Sequence, residues 1–157
     1  MALEQVFSIK IDNFFKNLAG LNKTIIFTVM VQQITKGIKI SVKTEYNGSN
    51  YRNNTLYYAF AYFITIENKS SQTVKLTDRF WKIFDSLNYI EVVNGEGVVG
   101  QTPILKPNDN YKYNSGCFLK SNSGAMMGFY TMINLDTYEQ FKVIVPTFQL
   151  TTQLLSN

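Results

Sequence analysis

Histidine is absent from all 157 residues, and with it go the usual general base, the commonest nitrogen ligand for metals and every Ser-His or Cys-His pairing. Cysteine occurs once, at Cys117, so no intrachain disulfide can form, and a reducing cytoplasm is the expected location. Proline is scarce, with three residues, and no low-complexity tract is present, which excludes a long disordered linker. No apolar run approaches the ~18 to 20 residues of a membrane span, and Glu4 and Asp12 interrupt any secretory core, so no integral membrane protein is expected. Lysine and arginine are dispersed rather than clustered, and a net charge of +4 without a basic arm gives no reason to expect a nucleic-acid partner. The eleven carboxylates form no D-x-D or E-x-x-E cluster. Asp78, Asp85, Glu91 and Glu96 are the densest of them and read as solvated or paired, so no metal site and no cofactor is assigned.

What the chain does contain is aromatic. Twelve Phe and ten Tyr contribute to an aromatic content of 15%, within a hydrophobic content of 45%. Such residues favour pleated, half-buried surfaces, and the length suits one core with a flanking segment. Residues 1 to 29 form that segment. Phe7, Ile11, Phe14, Phe15 and Leu18 have the spacing of an amphipathic helix ending near Gly20. The segment is either a surface- or partner-binding helix or an extension from an upstream start codon, with Met30 as the initiator.

From Ile38 the period changes to two. Ile38, Ile40, Val42 and Tyr46 alternate with polar residues as a strand, and Asn47 to Asn54 reads as a loop opened by Asn-Gly. Tyr57 to Glu67 reads as a central strand, with Tyr58, Phe60, Tyr62, Ile64 and Ile66 inward and Ala59, Ala61 and Phe63 making its other face apolar too. In the strand from Thr73 to Asp85 the apolar phase slips from even positions (Val74, Leu76) to odd ones (Trp81, Ile83), which predicts a β-bulge near Asp78 to Phe80. Further strands are predicted at 89–93, 111–119, 128–135 and 140–145, with a last one around 148–151 and a crossing loop at 101–110. Seven or eight short strands and almost no helix after Met30 predict a β-sandwich.

Asn94 to Gly100 reads NGEGVVG and contains G-x-G-x-x-G. A dinucleotide cradle needs a helix directly after the glycines, and Pro103 and Pro107 forbid one, so the Rossmann reading fails. Two readings remain. Gly95, Gly97 and Gly100 could form an anion nest for a phosphorylated small molecule, pyrophosphate or a nucleotide, with Arg79 or Lys82 in reach. Alternatively they allow positive φ and close approach of Trp81 or a neighbouring strand, and Glu96 inside the loop opposes an anion.

Taken together, YAFAYFITIEN at 58–68, Arg79 and Trp81 of DRFWKIFD, EVVNGEGVVGQTPIL at 91–105, Tyr113, Ser115 and Gly116, SGAMMGFY with Gly124, Met126, Gly128 and Tyr130, and FKVIVPTFQL resemble the bacterial ApaG family in order and spacing. The resemblance covers Tyr58 to Leu150. It implies an immunoglobulin-like or fibronectin type III-like β-sandwich over residues 30–157. It also implies an association with cobalt resistance and magnesium efflux, and kinship with domains in some eukaryotic F-box proteins and in a polymerase-interacting protein. Where such sequences usually carry histidine after the arginine, this chain has Phe80, which removes any chemistry that residue would do. The expected activity is therefore non-enzymatic: a binding or regulatory module for a protein partner or a second copy, with Tyr51, Tyr57 and Tyr111 as a candidate surface. Met126, Met127 and Met132 beside Phe129 and Tyr130 read either as core or as an adaptable surface, and Cys117 reads as a buried small hydrophobe.

Overall fold

The computed structural model describes residues 29–152. They form nine strands: β1 Met30–Thr35, β2 Ile38–Arg52, β3 Thr55–Asn68, β4 Val74–Asp85, β5 Tyr89–Glu96, β6 Ile104–Leu105, β7 Asn110–Leu119, β8 Ser123–Asn134 and β9 Gln140–Thr151. Two antiparallel sheets face each other, one ordered β1-β2-β3-β7 and the other β5-β4-β8-β9, with β6 also paired to β4. The all-β sandwich expected from the alternating pattern is the observed fold. No helix among the described residues is long and apolar enough to cross a membrane. The helix expected over residues 7–18 lies outside the described residues.

Alternation decides the core. Ile38, Ile40 and Val42 of β2, Phe60, Tyr62, Ile64 and Ile66 of β3, and Trp81 and Ile83 of β4 are all buried between the sheets, while Tyr58 at the end of the predicted inward set is half-buried. As expected, β3 is central, flanked by β2 and β7. Its second apolar face is divided: Ala59 and Ala61 are buried, whereas Phe63 is exposed. The phase slip in β4 is real, but it falls one residue earlier than predicted. The register with β8 shifts between Leu76 and Asp78, leaving Thr77 as the extra residue, and pairing with β5 is regular from Asp78 to Asp85.

Several boundaries differ from the sequence reading: β1 is an unpredicted strand, β5 extends past Val93 to Glu96, and β8 begins at Ser123 rather than at 128. The predicted loop at 47–54 is mostly strand, because Asn47 and Gly48 form a bulge between the Tyr46–Phe60 and Ser49–Tyr58 pairs, with Gly48 at φ 92°. The hairpin turn is instead Asn53–Asn54, whose φ values of 47° and 61° suit the two-residue turn that follows the strand twist. The two strands predicted around 140–151 are one, β9. Pro146 is accommodated because β9 is an edge strand and its register with β8 shifts between Met126 and Gly128. The segment at 101–110 does carry the chain from one sheet to the other, but it contains β6 and is anchored by the fully buried Asn68. That side chain donates to the carbonyls of Gln72 (2.7 Å) and Leu105 (3.0 Å) and accepts from the Ser70 amide (3.0 Å).

Asp85, which is buried, closes the far end of β4. Its carboxylate accepts backbone N–H donors from Leu87 (3.0 Å), Lys120 (2.6 Å) and Ser121 (3.3 Å). Burial works to raise its pKa, but the hydrogen bonds from the Ser121 side chain and these three amides prevail and hold it below the ordinary 3.8. A depressed folded-state pKa means that the unfolded chain takes up the proton more readily. The stabilisation is thus complete above 3.8 and is lost as pH falls through the folded value. Asp85→Asn is expected to flatten the acid limb of the stability curve and to cost about 1–3 kcal/mol at neutral pH, since an amide cannot accept at all three donors. Denaturant midpoints measured from pH 2 to 7 check this, and parallel curves for the two proteins would refute it.

Candidate binding site

The bulge at Thr77 organises the region around the glycine motif. It turns the Thr77 carbonyl toward the end of β5, where the Gly97 N–H donates to it at 2.7 Å. Val98 and Gln101 then bridge each other through two backbone hydrogen bonds of 2.8 and 3.0 Å, and the Val98 side chain is fully buried. Beyond the bulge, Arg79 pairs directly with Gly95 across β4 and β5, so that the absent Gly95 side chain leaves room for the guanidinium. A Cβ there would lie 2.9 Å from Arg79 Nη1. That nitrogen donates to the carbonyls of Glu96 (3.0 Å) and Gly97 (2.8 Å).

This arrangement commits groups that an anion nest would use. The amides of Gly97, Val98 and Gln101 already donate to backbone carbonyls, and Arg79 Nη1 is turned to loop carbonyls. Lys82 is separated from Arg79: three residues along a pleated strand, it lies on the opposite face of β4, with its ammonium 5.2 Å from the Phe84 ring centroid. Among the predicted anion-site residues, the structure joins Arg79 with Gly95 and Gly97, leaves Gly100 with no atom within 4 Å of the place a Cβ would occupy, and sends Lys82 elsewhere.

The three tyrosines proposed as a surface are likewise divided. Tyr51 is 69% exposed and Tyr57 half-buried at the β2–β3 hairpin, but they sit at successive register positions (Tyr51–Leu56 and Asn50–Tyr57) and therefore on opposite faces. Tyr111 pairs with Ile66, eight residues along β3 from the Tyr58–Leu119 pair, roughly 26 Å away at ~3.3 Å per residue. It is partly buried against the core.

Between the sheets, a polar cluster is buried among the aromatic rings. Tyr113 and Tyr130 share a short hydroxyl–hydroxyl hydrogen bond, and Tyr62 faces Ser115 across β3 and β7. Desolvation raises all three phenols, Tyr62 to about 12, so each remains neutral. Cys117 is pushed up to about 12 by burial, with the nearby Glu91 charge adding to the effect. A thiol held neutral is a poor nucleophile. Native protein at pH 8 is expected to resist thiol reagents and to label fully in denaturant, with the native rate tracking global opening. Labelling of native protein at the rate of a free thiol would contradict the buried placement.

The outer face of the β5-β4-β8-β9 sheet is the feature that sequence reasoning missed. Pairing places Asn94, Phe80, Phe129 and Ile144 in one row across the four strands, with Val92, Lys82 and Met127 in the next. Phe80 and Phe129 stack at 4.9 Å and 10°, and Lys142 from β9 lies 4.2 Å over Phe129. Ile90 and Val92 are about half exposed (52% and 51%), and Met127 and Ile144 are also exposed. A groove of about 360 Å³ opens across β5, β4 and β8, lined by Asp78, Phe80, Asn94, Glu96, Phe129 and Thr131 together with Arg79 and Gly95. The available signal was the apolar residues in the second phase of β4 and β5. Of the methionine group, Met126, Met132 and Tyr130 are core, whereas Met127 and Phe129 belong to this outer face. Among the described residues, no three His, Cys, Asp or Glu side chains are grouped so as to hold a metal ion.

Comparison with known proteins agrees with this fold. The sequence profile of the ApaG domain matches residues 48–134. Protein ApaG of Brucella canis and Protein ApaG of Brucella anthropi are each 40% identical over 121 residues, which covers 77% of this chain and 92% of the relative. The crystal structure of the putative ApaA protein from Bordetella pertussis superposes with a TM-score of 0.68 at 32% identity, covering 73% of this chain and 92% of that one. An X-ray structure of a Northeast Structural Genomics Consortium target superposes at 0.72 with 39% identity, covering 76% and 90%. With the sandwich and these relatives in agreement, the chain belongs to the ApaG domain family.

Proposed function

We propose that this chain is a non-enzymatic recognition module that binds a protein partner through the outer face of the β5-β4-β8-β9 sheet. The observation carrying this reading is the apolar character of that face, where Ile90, Val92, Met127 and Ile144 are exposed around the stacked Phe80 and Phe129. Exposed apolar side chains gathered on one sheet face support an interaction site in a folded protein. The chemistry of the interior supports binding over catalysis, because Tyr62, Tyr113, Tyr130 and Cys117 are all held in their neutral forms. On this reading residues 30–157 form the recognition domain and residues 1–29 an extension. The module works in the cytoplasm, and the family's association with cobalt resistance and magnesium efflux is exerted through the partner. A phosphorylated ligand at the glycine loop is less favoured, since the amides of Gly97, Val98 and Gln101 are already committed.

The test compares full-length protein with a Val92→Lys, Met127→Lys double variant as bait in lysate of the source organism, with far-UV circular dichroism confirming the fold of both. A partner retained by the first and lost by the second is the expected result. Equal capture by both would remove this face from consideration. Saturable shifts of the Gly95, Gly97 and Gly100 amides on titration with pyrophosphate or ATP would instead move the function to the loop.

A further inference from the structure

We infer that the groove beside the Phe80–Phe129 stack receives an arginine side chain from a basic segment of the protein partner. The inference rests on the recognition reading above and specifies the partner's chemistry. Asp78 and Glu96 are directly opposed across β4 and β5, and both line the groove. Like charges facing each other on neighbouring strands repel, which a shared cationic guest would relieve. The salt bridges joining described residues are Lys36–Glu139, Lys39–Glu67 and Lys69–Glu67, none of which uses these two carboxylates.

The remaining charges fit the same guest. Arg79 also lines the groove, but its Nη1 is directed at the Glu96 and Gly97 carbonyls, and Lys82 leans over Phe84 rather than toward the Phe80 row. Residues 78 and 79 are successive along β4, so Asp78 and Glu96 project from the face opposite to Arg79 and form an acidic pair there on a chain whose net charge is +4. The aromatic pair already binds one cation, since Lys142 reaches Phe129 from β9 and is paired with Thr131 at one end of the groove, while Asp78 and Glu96 stand toward the β5 end. A planar guanidinium matches what is offered: it stacks on a phenyl face and bonds carboxylates with its edge, whereas an ammonium is a strongly hydrated point charge. Asn94, in the same row as Phe80, adds a side-chain carbonyl that accepts from such a donor.

The experiment is a ¹⁵N NMR titration of the full chain with an arginine-containing hexapeptide, its citrulline twin and its lysine twin. Saturable shifts at Asn94, Glu96 and Thr131 with the arginine peptide are expected, weakened by 0.5 M salt, with the citrulline peptide silent and the lysine peptide weaker. An Asp78→Asn, Glu96→Gln double variant is expected to bind about five- to tenfold more weakly, the effect of two exposed ion pairs. If that variant is unfolded, Glu96→Gln alone carries the comparison, its side chain being exposed. Equal binding of arginine and citrulline peptides, unchanged affinity in the variant, or no shifts at millimolar arginine peptide would each overturn the inference. Any of these with partner capture still lost in the Val92→Lys, Met127→Lys protein would leave the recognition reading standing and remove only the arginine.

Discussion

Gly97→Ala is expected to destabilise the protein by roughly 3–4 kcal/mol, whereas Gly100→Ala, three residues away, is expected to cost about 1–2 kcal/mol. Both glycines have positive φ, 60° and 74°, so both substitutions carry the left-handed strain of a residue with a Cβ. The difference is what the Cβ meets. At Gly100 nothing lies within 4 Å, whereas at Gly97 it would lie 2.1 Å from the Gln101 carbonyl oxygen. That contact is with backbone, so no rotamer change relieves it. The Val98–Gln101 bridge must open, giving up hydrogen bonds of 2.8 and 3.0 Å that each contribute about 0.5–1.5 kcal/mol and loosening the buried Val98. Urea midpoints for the two variants check the contrast. Equal and small losses, with pyrophosphate or ATP binding abolished only in Gly97→Ala, would make the loop a ligand cradle instead.

Trp81→Ala is expected to cost about 3–5 kcal/mol, a large share of the roughly 5–15 kcal/mol that holds a domain of this size together. Trp81 is 3% exposed, and its indole lies 5.7 Å from the ring of Tyr62 and 6.0 Å from those of Tyr130 and Phe148, so it joins side chains from both sheets. Truncation removes the transfer energy of the largest side chain, leaves a cavity and breaks three aromatic contacts at once. It also brings the Tyr113–Tyr130 hydroxyl pair closer to empty space. Trp81→Phe, which keeps a ring, is expected to recover more than half of the loss. Because Trp81 is the only tryptophan, far-UV circular dichroism rather than fluorescence follows the melts. A loss below 1 kcal/mol for Trp81→Ala would mean that the core does not depend on this ring.

The parts of the chain legible in sequence were those fixed by short-range pattern. The alternation of Ile38, Ile40 and Val42 and of Phe60, Tyr62, Ile64 and Ile66 determined the all-β class and most of the inward set, because a pleated strand sends successive side chains to opposite faces. The phase slip between Leu76 and Trp81 determined that β4 bulges, and the ordered blocks from Tyr58 to Leu150 determined the family. Local pattern also misled: Asn47–Gly48 has the composition of a hairpin turn, yet the pairing of Tyr46 with Phe60 continues past it as a bulge and the turn falls at Asn53–Asn54.

Tertiary structure alone decided the rest, because it depends on contacts between residues distant in sequence. Alternation shows that Phe80, Val92, Met127 and Phe129 occupy one phase of their strands, but only the order β5-β4-β8-β9 places them on a single exposed face. The glycines were visible as residues. Whether each is needed for backbone conformation, for clearance or for a ligand depended on which atom stands where a Cβ would be, such as Arg79 Nη1 over Gly95 and the Gln101 carbonyl over Gly97. Asp78 and Glu96 are 18 residues apart in the chain and met only because β4 and β5 pair in this register, which turned two ordinary surface acids into opposing walls of one groove.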